Sequence, residues 1–578
     1  MLKKLFLRNS KFVVSFFSII MPLIYLLFSY LYPMYKIIIV AFGYGFGNTG
    51  FTISYFINLF HQNQFVQALY FTFQQALITT FLALILGLPA GYFLARYEFP
   101  LKNAIQDLIT IPFLLPSVVM LLGLVLAFGP NGFVTLFSIK IFGRPLFSLY
   151  GTLSGIIIAH LIYNLSVVIR VTETGWRSIS AEEEAVAKTL GASHYYYLYK
   201  ITLPKIISYV KTAVLLVFIY CFNSFAIVLA LGEVRYKTLE VLIYENARIR
   251  LRFHLAAALT VIQLILNIII ITIYLKQGKN ISETEGIPTK KSFFEEFSKK
   301  DMKHKMVLLV WIFYMAFILF LSLIPIYAVI KTSFYSVYTN SFTFENYKLL
   351  FSQRYEPLLG TSLINVVRNS LIIAVSVTAI TLVLSIPIAR YLALEKNTTK
   401  HLDMSAHKLV EEFLSLIIIL PMATSAVSLS LGVALAYKNT KLYNNYVGLL
   451  IIIAQTLVAF PFVYRIVFSR YEQLSIEQIS VAKTLGGTFL YIFKKIELPH
   501  LLPAILTASI FSFAISLGEF GATYFLARTE WTTMSIAVYK LIISRNPGLP
   551  SAMASLMIFI SFVAFRLISS TEYAELRV

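Results

Sequence analysis

The sequence predicts an all-α polytopic membrane protein of about twelve transmembrane helices, arranged as two parallel six-helix repeats. Three observations carry that prediction. The 578 residues are 58% hydrophobic and only 13% charged, with a mean hydropathy of +0.78, a composition that requires a bilayer as solvent. Apolar runs of about 20 residues, enough to cross a hydrocarbon core about 30 Å thick, recur along the whole chain. Six residues, VAKTLG at Val186–Gly191, return letter for letter at Val481–Gly486, about half the chain later.

In chain order the expected spans are 12–41, 69–95, 105–128, 150–171, 207–231, 253–275, 306–331, 366–393, 410–437, 447–467, 506–527 and 550–569. The start, MLKKLFLRNSKF, has the basic region of a signal peptide. The apolar stretch behind it is too long and no small-residue cleavage site follows, so an uncleaved first span is expected. Pro22 and Pro33 leave that run readable as one span or as a span plus an interfacial segment.

The repeat extends well beyond VAKTLG. GLPAGYFLAR (87–96) matches SIPIARYLAL (385–394), aligning Pro89 with Pro387. TIPFLLPSVVMLLG (110–123) matches ILPMATSAVSLSLG (419–432), with the same Pro-to-Gly distance. LIPIYAVIKTSF (323–334) echoes YLYPMYKIIIVAF (30–42), and Arg170 and Arg465 precede the two motifs equally. Residues 276–305 are charged, contain Gly and Pro, and read as a linker between a first repeat, 1–275, and a second, 306–578. Six spans per half is an even number, so both halves enter and leave on one side, unlike an inverted repeat.

The net charge of +21 is placed for a membrane surface and not for nucleic acid. With the N-terminus inside, the inner segments take the larger share of the lysines and arginines, and the linker alone holds eight lysines. Anionic inner-leaflet lipid is the expected partner of that charge. The 49 phenylalanines and 36 tyrosines suit helix packing and interfacial belts. The single cysteine, Cys221, excludes disulfides, iron–sulfur ligation and a cysteine zinc site within one chain.

Both motif copies then fall in a cytoplasmic loop between the fourth and fifth spans of their half, at 182–205 and 477–500. The Glu, Ala and Lys residues from Glu182 to Leu190 favour a short helix, with acids at its start. Gly191 ends that helix as a left-handed cap or admits a partner backbone closely. Tyr195–Tyr199 return the chain toward the interface, and Pro204 rigidifies entry to the fifth span. An ordinary amphipathic loop helix is the plainer reading, but identical spacing to Pro204 and Pro499 weakens it.

The segments EAVAKTLG…ITLP and SVAKTLG…IELP resemble the signature of permease subunits of bacterial binding-protein-dependent ABC importers of the type I fold. The resemblance covers both halves. It implies that the two segments are coupling helices docked on a cytoplasmic ABC ATPase dimer, through Glu184, Ala187, Gly191 and Pro204 in one copy and Glu477, Ala482, Gly486 and Pro499 in the other. The second copy departs from the pattern, with Ile479 where the first has Glu184. A soluble or lipid-anchored solute-binding protein on the outer face, a location in the bacterial inner membrane and cytoplasmic termini are implied as well. No GxxxxGK[ST] phosphate cradle and no HExxH helix occurs, so ATP hydrolysis is expected in a separate polypeptide, with no catalytic, cofactor or metal site here.

A permease with both halves in one chain resembles the thiamine and ferric-iron branches of that family. LYGTLSGIIIAHLIYNL (149–165), IYCFNSFAIVLALG (219–232) and KTLEVLIYE (237–245) look like the thiamine branch, which implies thiamine or its phosphates, with ferric iron next. Polar groups within apolar spans are the physical candidates for a pathway: Glu519, Asn164, Asn223 and Ser224. A mid-membrane carboxylate costs about 2.5–3.5 kcal/mol, so Glu519 must face protein or water. A hydrogen-bonded inter-helix strut is the preferred reading of Glu519, and the other three share that ambiguity, because such groups also bind helices together. His160 reads as packing and Glu233 as a solvated edge. An ion-coupled secondary transporter is the alternative class, opposed by the doubled motif.

Overall fold

The computed structural model describes residues 19–46, 50–145, 147–278, 291–293, 302–336, 341–399, 414, 417–542 and 546–575. Among these, ten helices are long and apolar enough to cross a bilayer. The ninth expected span is a pair, Ile417–Ala423 and Ala426–Tyr437, bent by 110°, and the apolar part of the twelfth, Gly548–Ala564, is shorter. Residues 12–18 of the first expected span and most of the linker lie outside the described residues.

Each half contains the same packed trio. In the first half it comprises α1 (Asn63–Arg96), α2 (Leu153–Arg177) and α3 (Leu203–Phe222). In the second it comprises α4 (Leu363–Thr399), α5 (Val447–Glu472) and α6 (Leu498–Gly518). Lipid tails supply little drive for helix association, so close backbone approach at small residues does that work. A Cβ on Gly91 of α1 would lie 2.3 Å from Thr172 Oγ1 and 2.9 Å from the Glu173 nitrogen on α2.

The halves are interlocked by exchange of their first helices. Met302–Ser333, which opens the second half, packs on Ser117–Phe128 of the first, while Tyr32–Ala41 packs on Ala426–Tyr437 of the second. The repeated glycines sit at these two crossings. A Cβ on Gly123 would meet the Pro325 carbonyl oxygen at 2.3 Å, and one on Gly432 would meet Met34, Ile37 and Pro33 at 2.9–3.2 Å. Pro33 and Pro325 are the prolines that the sequence repeat aligns.

With the bent pair counted as one pass, an even number of passes among the described residues separates the motif copies, which places both at one end of the bundle. At that end the linker residues Lys291–Ser292 pair in parallel with Tyr97–Glu98. Phe293 is buried among Phe93, Tyr97 and Phe99.

The fifth and eleventh spans differ from the expectation of continuous helices over 207–231 and 506–527. The first stops at Phe222 and restarts as Ala226–Leu231; the second stops at Gly518 and restarts as Gly521–Leu526. Hydropathy registers both pieces as one apolar run. Non-helical backbone at membrane depth survives only inside protein or beside a cavity, and these two breaks face one.

Candidate functional site

The two breaks occupy equivalent positions, Asn223–Phe225 and Gly518–Phe520, and enclose a cavity of about 360 Å³ between the halves. Phe225 and Phe520, themselves equivalent, stack across the pseudo-twofold axis with ring centroids 5.9 Å apart. All four pathway candidates, Glu519, Asn164, Asn223 and Ser224, line this cavity, together with His160. So do seven aromatic side chains: Phe113, Tyr163, Tyr220, Phe225, Phe462, Phe511 and Phe520.

Glu519 holds the break open. Its Oε1 accepts the Ala522 N–H at 2.9 Å and so caps the restarted helix, while the carboxylate borders the cavity. In place of the inter-helix strut expected there, the carboxylate bonds to the next stretch of its own chain. On the other wall the equivalent residue is Ser224, whose hydroxyl lies 2.6 Å from His160 Nε2 and whose carbonyl accepts from Thr238 Oγ1 at 3.0 Å. His160 thus packs as expected, and its counterpart Gln455 donates to Thr523 Oγ1 at 2.7 Å and accepts from Ser516. Asn164 donates to the His160 carbonyl at 2.9 Å, and its own Oδ1 is buried with no partner among the described residues.

Sequence reasoning missed the polar group behind the first wall. Glu240 is fully buried and accepts from Gln263 Nε2 through Oε1. Gln263 and Asn267 both donate to Asn223 Oδ1, at 3.1 and 2.9 Å. Their spacing of four residues on one apolar helix was the available signal, because it puts two amides on one face. Among the described residues, no group of three or more His, Cys, Asp or Glu could hold a metal ion.

The two motif segments form matched modules at one end of the bundle. Each begins with a short helix, Ala181–Thr189 or Ile476–Thr484, ended by a glycine with φ of +76° (Gly191) or +84° (Gly486). The Ala192 N–H reaches the Ala187 carbonyl and the Gly487 N–H the Ala482 carbonyl, which is the Schellman closure that a left-handed glycine permits. A Cβ on either glycine would meet nothing within 4 Å. Ser193 and Thr488 then cap the next helix through the Tyr196 and Tyr491 N–H groups. A π-turn precedes Pro204 and Pro499, which stand in the first turn of α3 and α6.

Each segment leaves large apolar side chains in the open, among them Val186, Leu190, Tyr195 and Tyr196 in the first and Val481, Leu485, Leu490 and Tyr491 in the second. Ala187 is buried and Ala482 half-buried, whereas Glu477 is exposed. The Glu184 side chain lies outside the described residues. Ile479, at the equivalent position, is buried, where an acid would be desolvated. The second segment is instead tied down by Glu497, whose carboxylate takes a two-point bond from Arg390 at 2.7 and 2.8 Å.

Two interlocked halves built on the same packed trio, a shared cavity and a pair of matched segments at one end define a fused two-half permease. The model of the binding-protein-dependent transport system inner membrane component matches residues 87–282 and 385–570, and the chain belongs to that family, the permeases of ABC importers with the type I fold. It is therefore a multi-pass inner-membrane protein. It is 24% identical over 509 residues to the thiamine transport system permease protein ThiP of Haemophilus influenzae, covering 87% of this chain and 88% of that one. The Escherichia coli protein of the same name is 23% identical over 505 residues, covering 86% and 87%. Its Brucella abortus namesake is 32% identical over 216 residues, covering 37% and 39%. A solved bacterial ABC transporter involved in the import of the acidic polysaccharide alginate aligns at 19% identity and a TM-score of 0.39, over 48% of this chain and 99% of that one.

Proposed function

We propose that this chain is the permease of an ATP-driven importer that passes thiamine or its phosphates from an external binding protein to the cytoplasm. The cavity carries the reading: one carboxylate, Glu519, stands among seven aromatic side chains. Thiamine joins a permanently cationic thiazolium ring to a neutral aminopyrimidine, and ring faces with one nearby carboxylate attract such a cation. A volume of about 360 Å³ falls within the range of small-molecule sites. The names of the full-length relatives support the same solute. Ferric iron, the second solute expected, calls for several hard oxygen ligands.

In this reading residues 1–275 and 306–578 are the two moving halves, joined by the linker 276–305 on the cytoplasmic side, where both termini also lie. The segments 182–205 and 477–500 receive a separate ABC ATPase dimer. Glu184, Ala187, Gly191 and Pro204, with Glu477, Ala482, Gly486 and Pro499, shape that contact. Exposed apolar side chains on both segments support this, because contiguous apolar surface outside the membrane marks a docking face.

Calorimetry on the external binding protein that serves this chain, with thiamine, its mono- and diphosphate and ferric citrate, tests the solute. Submicromolar binding of a thiamine form, with loss of thiamine uptake on deleting this chain, is the expected result. Binding of iron alone would replace the proposed solute.

A further inference from the structure

We infer that Asn223 presents its amide N–H groups to the transported solute, and that Glu240, Gln263 and Asn267 hold it in that orientation. Asn223 stands in the break after α3 and lines the cavity. Its Oδ1 accepts from both Gln263 and Asn267, which fills the two acceptor directions of an amide oxygen. Nδ2 meets no acceptor among the described residues and is not a buried atom, so its hydrogens open onto the cavity.

The orientation traces back to Glu240. This fully buried carboxylate takes one Nε2 hydrogen of Gln263, leaving the other for Asn223. If Gln263 were turned over, its carbonyl would face two acceptors, Glu240 and Asn223 Oδ1, and both contacts would be lost. Asn267, one helical turn further along the same helix, donates to the same oxygen and reinforces the choice. Glu240, Gln263 and Asn267 are thus positioning residues that act through Asn223.

At the two breaks, the amide stands on one wall only. The residue equivalent to Asn223 in the second half is Gly518, and the residue equivalent to Glu519 in the first is Ser224. The cavity therefore offers a hydrogen-bond donor from the first half and a carboxylate from the second. A solute with a cationic part and a separate acceptor (a ring nitrogen, a hydroxyl or a phosphate oxygen) engages both walls in one orientation. A site built to bond such an acceptor discriminates strongly against a solute that lacks it.

This inference rests on the proposed solute, and its test separates the two. Equilibrium binding of labelled thiamine is measured on the purified permease–ATPase complex of wild type, Asn223→Leu, Asn223→Asp, Glu240→Gln and the double variant Asn223→Leu/Glu240→Gln. Asn223→Leu and Asn223→Asp are each expected to raise Kd at least tenfold, and Glu240→Gln to produce part of that shift. The double variant is expected to bind no worse than Asn223→Leu alone, since Glu240 acts through Asn223. Asn223→Asp keeps the shape and replaces donors by acceptors, so a wild-type Kd in that variant overturns the inference. Additive shifts in the double variant overturn it too. If the wild type binds no thiamine, the solute reading fails by itself. The orientation is then judged by melting of the same complexes, where additive Tm losses in the double variant overturn it.

Discussion

Arg390→Leu isolates the contact that fastens the second motif segment to the bundle. Glu497 is 0% exposed and Arg390 18%, with paired bonds of 2.7 and 2.8 Å; the Arg390 guanidinium also sits 4.8 Å from the centre of the Phe489 ring. Removing the arginine leaves a fully buried carboxylate with, among the described residues, only the Tyr471 hydroxyl at 3.4 Å. Breaking a buried pair in this way costs about 3–5 kcal/mol, whereas replacing both partners by apolar residues is close to neutral. With about 1.4 kcal/mol per factor of ten, local opening of residues 489–500 should rise at least about 100-fold. The first segment provides the control. Thr202 occupies the position of Glu497 there, and the segment's own pair, Lys205 with Glu183, is 37% and 42% exposed. Such a pair contributes about 0–1 kcal/mol, so Lys205→Met should change exchange by less than about fivefold. Amide hydrogen exchange in lipid nanodiscs, read peptide by peptide, measures both. Exchange in Arg390→Leu within threefold of wild type would refute the reasoning, as would a double variant Arg390→Leu/Glu497→Leu that opens as readily as the single one.

Three further outcomes follow from the geometry. Gly123→Ala should destabilise the fold more than Gly432→Ala, because the first added methyl meets a backbone carbonyl at 2.3 Å while the second meets the mobile end of Met34 at 2.9 Å; equal Tm losses would contradict the interlock. Gly191→Leu and Gly486→Leu should each cost about 1–2 kcal/mol locally through left-handed strain and lower coupled transport, with Asn tolerated better than Leu; wild-type uptake in both Leu variants would remove the docking role. Glu519→Gln retains an oxygen for the Ala522 N–H and should keep the Tm yet weaken uptake of a cationic solute at least tenfold. Glu519→Ala should also lose about 1 kcal/mol of cap stability, and normal uptake by Glu519→Gln would remove the charge contact.

Much of the architecture was legible because it is periodic. Span count, duplication and the matched motif segments follow from hydropathy and from VAKTLG recurring with its proline, and Gly191 and Gly486 take the positive φ that a cap requires. The breaks at Asn223 and Glu519 were hidden because hydropathy sums over a run and does not sense where backbone bonds are interrupted. Exchange of the first helices was hidden for another reason: Gly123 meets Pro325 and Gly432 meets Pro33 only after folding, across long sequence separations. Asn223, Ser224 and Glu519 were found singly as polar residues in apolar spans, yet their meeting in one cavity depends on the pseudo-twofold axis. Glu240 escaped notice beside Glu245 because KTLEVLIYE lies between the expected spans 207–231 and 253–275, although it is fully buried.

Uptake of labelled thiamine into proteoliposomes tests the central claim most directly, with this chain reconstituted beside its ATPase and binding protein and ATP enclosed within. Accumulation that requires ATP, the binding protein and both motif segments is the predicted result. Accumulation driven by an ion gradient without ATP, or none of any thiamine form with all components present, would contradict it.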